Sequence, residues 1–210
     1  MKQIFLFQKQ PDPRWTPARK ALFWAWNGGI FLCSLLGIGL LSLVFAAVID
    51  QKAMLLSYFQ NPLIAFLNLA PVVLLGLLLY FLLGRAGAAY LITAGIALGL
   101  TIASWFKLQF RNDPLMFEDL LLIKEAGNMT GRYQLFLTKT MVLALVLLAA
   151  GWLVLHFCAR GRLSLRPRFL GLSLTVLLCL PVWDMTQDSY TYDALTANNG
   201  LINQWSATQV

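Results

Sequence analysis

Long apolar runs dominate the chain and are separated by short polar segments. A bilayer core takes about 20 helical residues to cross. The pattern therefore predicts an all-α membrane protein with five transmembrane helices, at about 21–49, 63–83, 86–106, 140–157 and 169–183. The fifth run is the shortest, so we expect it to borrow residues from its flanks to span a core of about 30 Å.

Proline and glycine residues mark some of the ends of these runs. Pro62 suits the first turn of a helix, and Gly84-Arg85 leaves room only for a very tight turn between the second and third spans. The third span is rich in small residues. We expect Gly95 and Gly99 within it to let another helix of the same chain approach closely.

The composition supports the membrane assignment and argues against a nucleic-acid-binding protein. Hydrophobic residues make up 59% of the chain and charged residues 12%, whereas soluble domains carry about 25% charged residues. The net charge of +7 comes from basic residues at the ends of apolar runs, so we expect no nucleic-acid partner. The first run is too long for the apolar core of a cleaved signal peptide and is expected to remain as an anchor.

Residues able to carry out chemistry are few. The three cysteines fall within or beside apolar runs without metal-like spacing, so neither a disulfide framework nor a metal site is predicted. The lone histidine, His156, is expected at the membrane interface. No nucleophile and base can be paired from the sequence, so we assign no catalytic residue and no cofactor to this segment.

Charge asymmetry between the loops predicts the orientation of the spans. Basic residues concentrate in the 1–20 leader, at Arg85 and in the 159–168 loop, and five spans place these three segments on one side. Because positively charged loops stay in the cytoplasm, the N-terminus is expected inside. The 107–139 segment and the acidic tail at 184–210 are then expected together on the extracytoplasmic face of a bacterial cell membrane.

The 107–133 stretch is dense in charges of both signs. Asp113 and Pro114 are typical of a helix start, and Gly127 of a helix end, so an interfacial helix is predicted over about 114–126. Its flanking cations can hold a lipid phosphate. The candidate residues for binding a lipid headgroup are Lys107, Arg111, Asp113, Glu118, Asp119 and Arg132. Local ion pairing among these charges is the alternative.

A short motif in this stretch suggests a family. The run from Arg111 to Leu115, with Asp119-Leu120 and then residues 124–126 after it, resembles the extracytoplasmic loop of lipoteichoic acid synthase-like phosphoglycerol transferases. That loop has an acid before Pro-Leu, and Asp-Leu a few positions on. The matching positions are Pro114, Leu115, Asp119 and Leu120. The number of spans, their orientation and the polar tail are also similar.

The resemblance implies that membrane anchoring and catalysis belong to two separate domains. Family members join a five-helix membrane domain to an extracellular sulfatase-like domain, in which a threonine nucleophile and manganese move glycerol phosphate from phosphatidylglycerol to a polymer or glycolipid. The sequence given ends at Val210, before the position of that domain. We therefore expect the membrane portion of such an enzyme, with no catalytic threonine or metal ligand to assign.

The expected function is thus to anchor a phosphoglycerol transferase and to present its lipid substrate. The expected partners are anionic phospholipid, with phosphatidylglycerol the foremost candidate, and the separate catalytic domain or a partner enzyme. A self-contained transporter or flippase subunit, or a membrane scaffold, is the alternative. Transporters usually carry ionisable residues within their spans, and these spans are almost free of them.

Overall fold

The computed structural model describes residues 10–50, 62–111 and 138–187, and the side-chain environments within 10–44, 66–107 and 138–184. The five helices in these ranges are α1 (Pro17–Asp50), α2 (Pro62–Leu83), α3 (Ala86–Arg111), α4 (Lys139–Cys158) and α5 (Leu165–Gln187). All five are long and apolar enough to cross a membrane. The predicted fold class of five transmembrane helices is therefore confirmed.

Local sequence explains where the helices begin. α2 starts at Pro62, whose fixed φ suits a first helical turn. α4 follows Thr138, whose Oγ1 accepts a hydrogen bond from the backbone N–H of Met141 at 3.4 Å. α5 runs beyond both ends of the predicted 169–183 run. Its 23 residues extend about 34 Å at 1.5 Å per residue, enough to cross the bilayer core.

The packing order places α1, α2 and α3 in mutual contact at the centre, with α4 on α1 and α3. α1 contacts α2, α3 and α4, and α3 contacts α1, α2 and α4, whereas α5 packs mainly on α2. The buried core at these contacts includes Phe31, Leu35, Tyr80, Tyr90, Leu98, Met141 and Leu155. Much of the remaining apolar surface of α4 and α5 is exposed, as expected for helices that face lipid.

Four glycines permit close helix contacts, and two of them, Gly39 in α1 and Gly76 in α2, lie where these two helices meet. A Cβ added to Gly151 in α4 would overlap the side chain of Tyr90 in α3, and a Cβ on Gly171 in α5 would overlap the ring of Phe81 in α2. Small residues at such positions let helices approach within van der Waals contact, which is the main attraction between helices in lipid. Gly151 and Gly171 therefore fix the α3–α4 and α2–α5 contacts.

The expectation for Gly95 and Gly99 is wrong. Both residues are exposed on α3, and among the described residues a Cβ at either would meet no atom within 4 Å. The helices that pack on α3 use its other face, which carries Ala89, Tyr90 and Ala94. Composition identifies a helix rich in small residues but does not say which side of it contacts a neighbour.

Buried threonine hydroxyls inside the spans are satisfied locally. In α3, Thr93 Oγ1 donates to the carbonyl of Ala89 at 2.9 Å, and in α5, Thr175 Oγ1 donates to that of Gly171 at 2.8 Å. Both threonines are buried. Bonds of this kind leave no unsatisfied hydroxyl facing hydrocarbon, where its burial would be costly.

The alternation of the helices brings both short connections to one end of the bundle. The turn between α2 and α3 and the loop between α4 and α5 lie beside the first part of α1. We call this region, made of residues 10–27, 84–85 and 159–168, the arginine-rich end. The helices α3 and α5 finish at the opposite end, where α4 begins.

Candidate functional site

Most of the sequence-predicted site lies outside the described residues. This applies to Asp113, Pro114, Leu115, Glu118, Asp119, Leu120 and Arg132, and to the interfacial helix predicted over 114–126. Lys107 is half-buried near the end of α3, and Arg111 is the last residue of that helix. Because α3 and α4 contact each other, segment 112–137 joins two neighbouring helices at the opposite end of the bundle.

A tight turn organises the arginine-rich end. Gly84 has a φ of 70°, a left-handed conformation that glycine adopts without strain. Its N–H donates to the carbonyl of Tyr80 at 2.7 Å, which closes the last turn of α2 in the manner of a glycine C-cap. The chain then enters α3 two residues later, so Arg85 is held in the turn itself.

The backbone pairs this turn with the loop between α4 and α5. Arg85 and Arg162 form an isolated antiparallel bridge, and the N–H of Leu163 donates to the carbonyl of Gly84 at 3.3 Å. Two residues facing each other across an antiparallel pair have Cα atoms about 4.5–5.5 Å apart. Main-chain geometry therefore sets two arginines side by side.

Arg168 ties the start of α5 to the end of α2. Its Nε donates to the carbonyl of Phe81 at 3.0 Å, and its Nη2 donates to that of Leu82. Carbonyls in the last turn of a helix have no partner within the helix, and a guanidinium there also complements the negative end of the helix dipole. Arg168 therefore acts as a cap for α2 supplied by another helix.

Asn27 connects α1 to the same loop. Its side chain is 2% exposed, and its Nδ2 donates to the carbonyl of Phe23 at 2.8 Å. Its Oδ1 accepts a hydrogen bond from the backbone N–H of Gly161 at 3.0 Å. A Cβ on Gly161 would come within 3.0 Å of this amide and 3.2 Å of Trp24. The loop is thus held tightly against α1.

The end of α4 supplies aromatic and basic groups. Arg160 Nε donates to the carbonyl of His156 at 2.8 Å, and the ring centroids of Trp152 and His156 are 5.3 Å apart. His156 is exposed at this end of the helix. This exposure agrees with the position at the membrane interface that the sequence predicts. Tryptophan and histidine have apolar bodies and polar tips suited to the boundary between lipid and water.

These elements border an open cavity of about 540 Å³ between α3, α4 and the loop. Its polar lining comes from Arg85, His156, Arg160 and Arg162, together with the backbone at Gly161. Its apolar lining comes from the first turns of α3 and from Trp152 and Leu155 of α4. The volume is within the range of about 300–1,000 Å³ seen for small-molecule pockets. None of the described lining residues is acidic.

Charge is unevenly divided between the two ends. The arginine-rich end carries eight basic residues, namely Arg14, Arg19, Lys20, Arg85, Arg160, Arg162, Arg166 and Arg168, against one acid, Asp12. Asp12 accepts a hydrogen bond from the backbone N–H of Arg14 at 2.9 Å.

Over the parts of the chain that the structure describes, no group of three or more His, Cys, Asp or Glu is placed to hold a metal.

The sequence does not predict this cavity. In the sequence, Arg85 and the 159–168 arginines indicate only the orientation of the spans, and Asn27 belongs to no motif. An asparagine inside an apolar run is a detectable signal, because a buried amide needs partners. Its partner, Gly161, lies 134 residues away, and that distance hides the pairing from any local pattern.

Comparisons with protein-family models, with curated proteins and with solved structures give no match. What the chain is must therefore be concluded from its own helices. Five helices of spanning length and apolarity, joined by short polar connections at one end, are those of a multi-pass membrane protein.

Proposed function

We propose that this chain is the membrane-anchoring domain of a phosphoglycerol transferase. In this role it holds an extracytoplasmic catalytic domain at the membrane and presents to it the headgroup of phosphatidylglycerol. Glycerol phosphate is then moved to a cell-envelope polymer or glycolipid. Catalysis and the manganese ion belong to that other domain, and no residue of this chain is assigned to the chemical step.

The observation that carries the proposal is the five-helix bundle combined with the Pro114-Leu115 and Asp119-Leu120 motif. The motif falls in segment 112–137, which joins two helices in mutual contact. α5 ends at the same end of the bundle as this segment. A domain that follows α5 would therefore start close to the residues proposed to hold the headgroup.

The charge distribution supports the orientation that this role requires. Eight basic residues against one acid at the arginine-rich end favour that end as cytoplasmic, because the excess of Lys and Arg in short loops stays inside. The N-terminus is then cytoplasmic, and segment 112–137 and the C-terminal tail are extracytoplasmic. Phosphatidylglycerol of the outer leaflet would lie within reach of Arg111.

The transporter alternative receives less support. The acidic and basic residues of the described helices lie in or near their end turns, so no charged group is placed at mid-membrane to form an ion or substrate path. The buried threonine hydroxyls there, of Thr93 and Thr175, are satisfied within their own helices. A scaffold that partners a separate enzyme fits the same bundle, and it differs only in whether the catalytic domain shares the chain.

Substitutions at two of the candidate headgroup-binding residues test the headgroup role. In cells that make the protein with its catalytic domain or partner enzyme, Arg111→Ala and Asp119→Ala are each expected to lower glycerol phosphate polymer about tenfold or more. The reason is that each removes a charge-assisted contact, for which about 1.5–3 kcal/mol is typical. Polymer is measured per unit of membrane-inserted protein.

Lys139→Ala and Asp184→Ala are the matched controls. Each removes the same charge from an exposed side chain at the same end of the bundle but outside segment 112–137. They are expected to leave polymer synthesis near its normal level. Normal synthesis by both Arg111→Ala and Asp119→Ala, at normal protein levels, would refute the headgroup role.

A further inference from the structure

The cavity at the arginine-rich end holds two cations side by side. Arg85 and Arg162 face each other because their backbones are bridged and because the carbonyl of Gly84 is bonded to the N–H of Leu163. Like charges directly opposite each other on paired backbone are destabilising. The fold therefore maintains a local concentration of positive charge whose repulsion an anion would relieve.

No described carboxylate relieves this repulsion. None of the described residues lining the cavity is acidic. The carboxylate of Asp12 accepts a hydrogen bond from the backbone N–H of Arg14, two residues further along the chain. The neighbouring arginines already serve helix ends, since Arg168 caps α2 and Arg160 bonds the last turn of α4. The backbone bridge holds Arg85 and Arg162 side by side, and among the described residues neither guanidinium has a hydrogen-bond or ion-pair partner.

The walls of the cavity suit an amphipathic ligand. Gly87 and Ala88 of α3 and Trp152 of α4 line the cavity, and a Cβ on Gly87 would lie 3.8 Å from the indole nitrogen of Trp152. Leu91, one turn deeper along α3, lines the cavity and is 42% exposed. The polar mouth therefore continues into the apolar surface of α3 and α4, along which acyl chains can lie.

We propose that this cavity binds a phosphate-bearing anion, with Arg85 and Arg162 as its cationic contacts. Guanidinium groups hold phosphate through paired, charge-assisted hydrogen bonds, and basic pockets between helices on the cytoplasmic side are suited to anionic headgroups. The apolar continuation favours an anionic phospholipid over a soluble phosphate ester. This site is at the opposite end of the bundle from segment 112–137 and does not rest on the function proposed above.

The test uses the purified full chain in phosphatidylcholine nanodiscs. In one arm, phosphatidylglycerol replaces a rising fraction of the phosphatidylcholine, and in the other, glycerol phosphate is titrated into the solution. The midpoint of thermal unfolding is followed in both, because a ligand that binds the folded state raises it. A rise with phosphatidylglycerol alone identifies lipid as the ligand, and a rise with glycerol phosphate identifies the soluble ester.

Variants assign the effect to the cavity. When Arg85→Gln and Arg162→Gln are combined, the anion concentration needed for the same rise of the unfolding midpoint is expected to increase roughly tenfold or more. Arg166→Gln, which removes the same charge from an exposed residue outside the lining, is expected to retain most of this rise. Arg162→Glu should abolish binding with the fold intact, since the new carboxylate would pair with Arg85.

Three results would overturn the proposal. They are no midpoint rise in either arm, an undiminished rise when both arginines are replaced, and a loss in Arg166→Gln equal to that of the double variant. The last would indicate general attraction of the basic surface for anions. If the double variant does not fold, the single variants and Arg162→Glu give the same comparison.

Discussion

Replacing Asn27 with leucine is expected to destabilise the protein by about 1–3 kcal/mol, the usual cost of leaving a buried backbone group without its partner. The substitution nearly conserves volume but removes the Oδ1 atom that accepts the Gly161 N–H at 3.0 Å. Gly161 is itself buried, so water does not readily replace the lost acceptor. The loop between α4 and α5 then loses its polar connection to α1.

Equilibrium unfolding in detergent or nanodiscs measures this loss. Asn68→Leu is the matched control, because Asn68 is a half-buried amide of α2 and makes no hydrogen bond within the described residues. That substitution is expected to be neutral or slightly stabilising. Equal stability of the Asn27 and Asn68 variants would show that the Asn27–Gly161 bond does not hold the loop.

Replacing Arg168 with glutamine is expected to cost about 1.5–3 kcal/mol, in the range typical of hydrogen bonds to charged groups. Arg168 is the donor to the carbonyls of Phe81 and Leu82, which end α2 without partners in their own helix. Because α5 packs mainly on α2, the same change weakens the attachment of α5 to the bundle.

Two further variants separate the hydrogen bonds from the charge. Arg168→Lys keeps the charge but not the fork of donors, and it should fall between the wild type and Arg168→Gln. Arg166→Gln removes a charge from an exposed position two residues earlier and should change the free energy of unfolding little. If Arg166→Gln were as destabilising as Arg168→Gln, loss of charge rather than loss of the cap would be responsible.

Much of the fold follows from apolar run length alone. The five runs predict the five helices, and Pro62 and Gly84 mark a helix start and a helix end that the structure contains. The start of α5 is not visible in the hydropathy pattern because Leu165 to Arg168 carries two arginines, which lower the local hydrophobicity. One of these, Arg168, is nevertheless part of the helix and bonds α2, which no hydropathy pattern encodes.

The candidate site at the arginine-rich end was not predictable in the same way. The arginines are visible in the sequence, but Arg85 and Arg162 lie on connections 77 positions apart and meet only because α2, α3, α4 and α5 alternate in direction. Helix contacts pose the same difficulty. Gly151 and Gly171 make close approaches, whereas Gly95 and Gly99 face outward, and spacing alone does not distinguish the two pairs.

The interactions at the arginine-rich end form one clamp. Asn27 holds the 159–164 loop to α1, the Arg85–Arg162 bridge holds that loop to the α2–α3 turn, and Arg168 holds α5 to α2. Hydrogen bonds of Asn27, Leu163 and Arg168 thus join segments that are distant in the sequence. These contacts hold α1, α2, α5 and the two short connections together at one end of the bundle.

Membrane topology tests the central claim most directly, because the proposed function requires the two ends of the bundle to face opposite sides. The three native cysteines are first replaced by serine, and single cysteines are introduced as Asn128→Cys, Ala197→Cys and Ser164→Cys. In intact cells, a membrane-impermeant maleimide is expected to label the first two and to label Ser164→Cys only after permeabilisation. Labelling of Ser164→Cys in intact cells, with Asn128→Cys and Ala197→Cys protected, would contradict the account.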